Sequence, residues 1–190
     1  SELFGRTKKE IHIHHKVQDG LWTVEVDQGQ IDQVFLNIYV NASHAMPDGG
    51  DLYLTEENIK LANGFVKPYN IAPGRFVKIS ITDTGIGMDE ATKARIFEPF
   101  FTTKEQGRGT GLGLASAYGI IKNHGGFINV ESEKNIGTTF TIYLPASDSE
   151  VRYDDKKTEE THKKGQETVL LIDDEEMILD VSSNMLKVLG

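Results

Sequence analysis

No cysteine occurs in the 190 residues, which excludes disulfides and thiolate metal sites and fits a reducing compartment. No apolar run nears the roughly 18 residues of a membrane-spanning helix, and no signal-peptide pattern opens the chain. Positive charge is scarce. Twenty Lys and Arg face 29 Asp and Glu, and the net charge of -9 has the wrong sign for a nucleic-acid partner. A cytoplasmic setting is the expectation. What remains, 38% hydrophobic, suffices for one good core. Such an acidic chain can still hold a nucleotide where backbone amides and a divalent cation meet the phosphates.

Residues 30–46 carry apolar side chains at Ile31, Val34, Phe35, Ile38, Ala42 and Ala45, the spacing of a helix lying on a core. Gln33, Asn37, Asn41 and His44 fall on one side of that stripe. Asn is an indifferent helix former, so two of them a turn apart beside a buried face are unusual. Asp27 is placed to cap the helix, and Gly49 and Gly50 to stop the chain after it.

The flanking segments read as strands and turns. Residues 11–15 and 21–26 alternate around the Asp19–Gly20 turn signal and predict a hairpin. His12, His14 and His15 are then strand surface, since no carboxylate or Cys is placed to complete a metal site with them. Residues 51–55 predict a strand and 56–74 a polar loop. Residues 76–82 predict a central strand running straight into Asp83. Asp89 caps a short helix reaching Phe97, and residues 98–110 read as a long functional loop. Residues 111–124 form a helix entered through glycines and ended by Gly125 and Gly126. A last hairpin joins 127–133 to 138–144.

Three stretches together suit ATP. Asp83, at a strand end, can accept from the exocyclic amine of adenine, and Gly85 and Gly87 let the backbone approach the ring. Gly109, Gly111 and Gly113 at the mouth of a helix offer amides and a positive helix end to phosphate. The Asn41 carbonyl suits Mg²⁺, with phosphate oxygens completing the shell. No P-loop pattern is present, the dinucleotide fingerprint fails at Leu114 and Ser116, and the protein-kinase His-Arg-Asp and Asp-Phe-Gly signatures are missing.

Asn-Ile-Tyr-Val-Asn-Ala at 37–42 matches an N box and Asp-Thr-Gly-Ile-Gly-Met at 83–88 a first glycine box. Ile-Phe-Glu-Pro-Phe-Phe-Thr-Thr-Lys at 96–104 matches a phenylalanine box, and Gly-Thr-Gly-Leu-Gly-Leu at 109–114 a second glycine box. In that order they make residues 30–145 strongly resemble the catalytic ATP-binding domain of sensor histidine kinases, of the superfamily shared with gyrase, heat-shock chaperones and MutL. The resemblance implies a two-layer α/β sandwich of the Bergerat type, a mixed sheet with helices on one face, and a flexible lid over ATP. It implies that Asp83 binds the adenine amine, that Asn41 ligates Mg²⁺ and that Asn37 assists. Gly109, Gly111 and Gly113 would carry backbone contacts to phosphate, with Gly85, Gly87, Thr103, Thr110, Leu112 and Leu114 completing the nucleotide-binding set. Phe100 and Phe101 would anchor the lid, His44 would sit near phosphate, and Lys104 and Arg108 would be lid cations, Lys104 with a catalytic part. Members that hydrolyse ATP place a Glu where this chain has Asn37. An amide accepts no proton at neutral pH, so transfer to a His on a partner helical domain is expected rather than hydrolysis.

The resemblance divides the chain into 1–9, a remnant of a preceding helical domain, 10–146, the ATP-binding domain, 147–167, a charged linker, and 168–190. Val-Leu-Leu-Ile-Asp-Asp-Glu-Glu at 169–176 resembles the first strand of a response-regulator receiver domain, with Asp173 and Asp174 as part of its Mg²⁺ site. The parent would then be a hybrid histidine kinase, a homodimer with ATP, its own helical domain and a receiver or response regulator as partners. None of the six His has the acidic neighbour of a phosphoacceptor, so this chain is expected to bind ATP without autophosphorylating. Residues 168–190 are expected to dock on another surface, such as a second copy's sheet edge. The competing function is a nucleotide-gated interaction module without phosphotransfer.

Overall fold

A computed structural model of the chain describes residues 11–104 and 109–147. Five strands form one mixed sheet, in the order β1-β2-β3-β5-β4. They are β1 (Ile11–Val17), β2 (Gly50–Leu61), β3 (Gly74–Asp83), β4 (Phe127–Glu133) and β5 (Gly137–Pro145). The pairing is parallel between β1 and β2 and antiparallel elsewhere. The helices are α1 (Gln28–Ala45), the short α2 (Asn63–Val66) and α3 (Glu90–Lys93), and α4 (Gly113–Asn123).

Period-two burial along β3 sets the layers. Val77, Ile79 and Ile81 point to one face and are buried against α1 and α4. Asp83 continues that series, so the strand's own alternation carries a carboxylate to the helix-covered face. Ile31, Val34, Ile38 and Ala42 from α1, Ala117 and Ile121 from α4, and Phe140, Ile142 and Leu144 from β5 close this core. Each fully buried Ile or Leu among them contributes about 2 kcal/mol. Asp27 caps α1 as expected: its side chain accepts from the Gln30 N–H at 2.8 Å.

Two expectations need correction. Residues 21–26 are not the second strand of a hairpin: β1 pairs instead with β2, on the far side of α1 in sequence, and only Val24 makes an isolated bridge, to Ala146. Alternation says which side chains turn inward, not which strand is the neighbour. Leu21, Trp22, Val24 and Val26 do pack on the core, and Asn58 pins their segment by accepting from the Trp22 N–H at 2.8 Å and donating to the Gly20 carbonyl at 2.9 Å. That use explains a polar residue inside β2, which runs six residues past its expected end at 55. The second correction concerns the layers. The long helices share one face, yet α2 and a 3₁₀ turn at Lys67–Tyr69 cover one end of the other. There Phe127 stacks between Tyr69 (4.2 Å) and Tyr143 (4.4 Å), beside buried Leu61, Val66 and Phe76.

One side chain ties the long helices end to end. His124, just past α4, donates from Nδ1 to the Ile120 carbonyl at 2.8 Å and accepts at Nε2 from the Asp27 N–H at 3.0 Å. His124→Leu orphans that N–H and should cost about 1–2 kcal/mol in thermal or denaturant unfolding. An unchanged melting temperature would show that water serves the α1 cap equally well.

Candidate nucleotide site

The end expected to bind the base is built at the end of β3. Asp83 is only 5% exposed. The Gly85 N–H donates to its Oδ1 at 2.9 Å, and the Thr138 backbone N–H donates as well. Burial raises the carboxyl's pKa above its ordinary value, opposed by those two amides. A carboxylate offers about four acceptor positions, so two backbone donors leave room for the amine of a base. The following turn is clamped to the end of α1. The Ile86 N–H donates to the Ala45 carbonyl at 2.9 Å, and a Cβ on Gly85 would lie 2.6 Å from that same oxygen. Gly87 has φ +59° and would bring a Cβ onto the Glu133 carbonyl. Both positions therefore require glycine.

The end expected to bind phosphate lies where α1 faces the start of α4. No side chain caps α4, whose first intrahelical bond runs from the Ser116 N–H to the Leu112 carbonyl. Its opening amides and the helix dipole favour an anion there. Asn37 sits against that opening: a Cβ on Gly113 would be 3.0 Å from Asn37 Oδ1. Among the described residues, Asn37 Nδ2 is the buried side-chain nitrogen with no hydrogen-bond partner. An orphaned donor costs about 1–3 kcal/mol, and a phosphate oxygen is an acceptor that would satisfy it. One turn on, Lys104 Nζ lies 3.4 Å from Asn41 Oδ1 and 2.7 Å from His44 Nδ1, which joins all three residues.

The segment between these ends is closed at its base. The Phe100 N–H donates to the Gly111 carbonyl at 2.9 Å, and Gly111 has φ +65°. The anchoring expected of both phenylalanines is divided. Phe101 packs on the core beneath the Arg95 guanidinium, whereas Phe100 is 74% exposed and held through its backbone N–H. Thr103 and Leu112 are exposed, and the Leu114 side chain packs on the core, leaving its amide as its only route to a phosphate. Thr110 Oγ1 accepts weakly from the Leu112 N–H at 3.4 Å. Arg108 lies outside the described residues, as do Asp173, Asp174 and the expected docking segment at 168–190.

Residues 26–148 match the family model of the histidine kinase-, DNA gyrase B-, and HSP90-like ATPases. The chain belongs to this family. It is 46% identical over 177 residues to the sensor kinase CckA of Brucella abortus, covering 87% of this chain and 19% of that protein. It is 43% identical over 127 residues to sporulation kinase E of Bacillus subtilis, covering 67% of this chain and 15% of that one. The chain thus spans under a fifth of the length of either relative. Among solved structures, a nucleotide-free catalytic domain of histidine kinase ThkA superposes with a TM-score of 0.57 at 33% identity, covering 72% of this chain and 79% of that one. Residues 26–148 are accordingly an ATP-binding catalytic domain of the sensor histidine kinase kind.

Several residues that shape this ATPase-family site escaped the sequence reading. Ser132 Oγ accepts from the Met88 N–H at 2.8 Å and donates to the Gly137 carbonyl at 3.0 Å. The Asn135 N–H donates to the Ile86 carbonyl at 2.7 Å, so the β4–β5 turn backs the first glycine box. A Cβ on Gly137 would strike the Asp83 carbonyl. Asn135 and Gly137 mark the sequence only as the signal of the last turn; a lone Ser or Thr in a strand leaves no mark. No helix among the described residues is long and apolar enough to cross a membrane.

Proposed function

We propose that this chain is the ATP-binding catalytic part of a hybrid sensor histidine kinase, holding Mg-ATP for transfer of its γ-phosphoryl group to a histidine on a separate helical domain. Asp83 reads the adenine amine. The opening amides of α4 with Gly109, Gly111 and Gly113 hold the phosphates, and Asn37 Nδ2 donates to them. Asn41 Oδ1 is the neutral oxygen for the metal. Among the described residues no group of three or more His, Cys, Asp or Glu could hold a cation, which fits a metal that arrives with the triphosphate and takes most of its ligands from it. When bound, Mg²⁺ supplies neutralisation of the phosphate charge. The chain's own residues position the phosphates and keep the base in its pocket.

The observation that carries the phosphotransfer reading is the buried amide at position 37. It donates and cannot take a proton, so nothing there activates a water, and the γ-phosphoryl group is kept for an incoming imidazole nitrogen. For the hybrid architecture, support comes from the Val-Leu-Leu-Ile-Asp-Asp-Glu run opening at 169. The match to CckA also covers more of the chain than residues 26–148. The test is a mixture of this chain, Mg-ATP and a helical hairpin domain bearing a His followed by an acidic residue. Acid-labile phosphate should appear on the hairpin, with free phosphate release at least about tenfold slower. Phosphate release without any label on histidine would replace the kinase reading by an ATPase.

A further inference from the structure

The Lys104 side chain turns back onto α1. Its ammonium touches two α1 side chains three residues apart, at 2.7 Å from His44 Nδ1 and 3.4 Å from Asn41 Oδ1. An ammonium has only donors, so both partners face it as acceptors. Asn41 Oδ1 is the atom that the proposed function gives to the divalent metal. A single positive charge thus stands against the oxygen where a double one would bind. The group is half-buried, and its burial lowers the lysine's pKa, the mark of a charge held inward with water partly stripped away.

A lysine that merely steers phosphate would extend into solvent, free to swing. This one is held by two side chains of the helix that also carries Asn37. Metal-free ATP needs cationic partners for its triphosphate, and α4's uncapped start supplies only partial charge. Lys104 supplies a full one at Asn41, one turn along α1 from the Asn37 that faces Gly113. A divalent cation arriving at Asn41 Oδ1 meets the ammonium as a like charge at contact distance and drives it off.

We propose that Lys104 is a resident cation of the nucleotide site, standing in for the divalent metal at Asn41 so that ATP binds without metal, and displaced when the metal binds. This rests on the reading of the site as a nucleotide pocket. The test is calorimetric titration of ATP into the full chain, once in excess Mg²⁺ and once in excess chelator, with wild type, Lys104→Gln and Lys104→Arg. In wild type, metal-free ATP should bind within about tenfold of Mg-ATP. Lys104→Gln should weaken metal-free ATP by about tenfold or more and Mg-ATP by less than about threefold, while Lys104→Arg retains most metal-free affinity. Equal weakening of both forms by Lys104→Gln would make Lys104 an ordinary phosphate contact and overturn the proposal. So would unchanged affinity in both, or a wild type that takes Mg-ATP alone. A wild type that binds neither form fails at the level of the nucleotide pocket, a separate result. Matching melting temperatures for the three proteins establish that the comparison concerns the site and not the fold.

Discussion

Asp83→Asn should weaken ATP binding by about a hundredfold or more and leave the nucleotide-free chain at least as stable as wild type. The Gly85 and Thr138 amides both donate to the carboxylate. The Gly85 N–H fixes Oδ1, so an Asn that keeps its one oxygen there turns its NH₂ toward the exocyclic amine of adenine. Donor would face donor. The stability half of the expectation follows from burial, which raises the Asp83 pKa. The native state then binds the proton more readily than the unfolded state. Between the ordinary carboxylate value and the raised one, stability linked to this group falls as pH rises, and above the raised value the full cost persists. Asp83→Asn removes that dependence. Its melting temperature should exceed wild type at neutral pH, and the gap should narrow on acidification through that window. A variant less stable than wild type at pH 7, with unchanged ATP affinity, would show Asp83 to be a structural acceptor only.

Gly111→Ala should lower ATP affinity by about ten- to a hundredfold with only about 1–2 kcal/mol lost from the fold. Gly111 has φ +65°, and a Cβ there would overlap the Phe100 carbonyl carbon and lie 2.7 Å from its Cα. Those are backbone atoms and cannot swing aside as a side-chain tip would. The chain must shift, and the Phe100–Gly111 hydrogen bond goes with it. Gly113 and the α4 amides proposed to hold phosphate begin two residues later, so the displacement would reach them directly. The fold loses little because the Phe100 ring is exposed. Gly119→Ala is the control. Gly119 lies inside α4 with nothing within 4 Å of a Cβ, so alanine should stabilise by about 0.5–1 kcal/mol and leave ATP binding alone. Calorimetry and melting curves on the two variants check both expectations. Wild-type affinity in Gly111→Ala would mean that nucleotide binding does not depend on the Phe100–Gly111 bond.

Much of the site's frame is legible in the sequence, because it follows local rules. Alternation in 76–82 placed Asp83 at a strand end, and its continuation through Asp83 explains the carboxylate's burial. Asp27 and Asp89 both cap helices through their side chains, as their positions before amphipathic or polar runs required. What could not be read depends on partners distant in sequence. The neighbour of β1 was chosen by the β1–α1–β2 crossover and not by the closest alternating segment. Phe100 and Phe101 are chemically identical, yet the positive φ of Phe100 (66°) turns its ring outward while Phe101 packs on the core. The contacts that shape the pocket from behind, Thr138, Ser132 and Asn135, act through backbone bonds or single hydroxyls, which carry no periodic signal. The Lys104–His44–Asn41 cluster joins residues some 60 positions apart and became visible only in three dimensions.

The most direct measurement is a pair of titrations of wild type, one with ATP and one with inosine triphosphate, in the same Mg²⁺ buffer. The two ligands share sugar and phosphates and differ at the purine 6-position, where inosine carries a carbonyl in place of the amine. If Asp83 reads that amine, ATP binds in the micromolar-to-millimolar range and inosine triphosphate at least about thirtyfold more weakly, since a buried carboxylate would face an acceptor. Equal affinity for the two would contradict the assignment of Asp83 and move the base-binding pocket elsewhere in the fold.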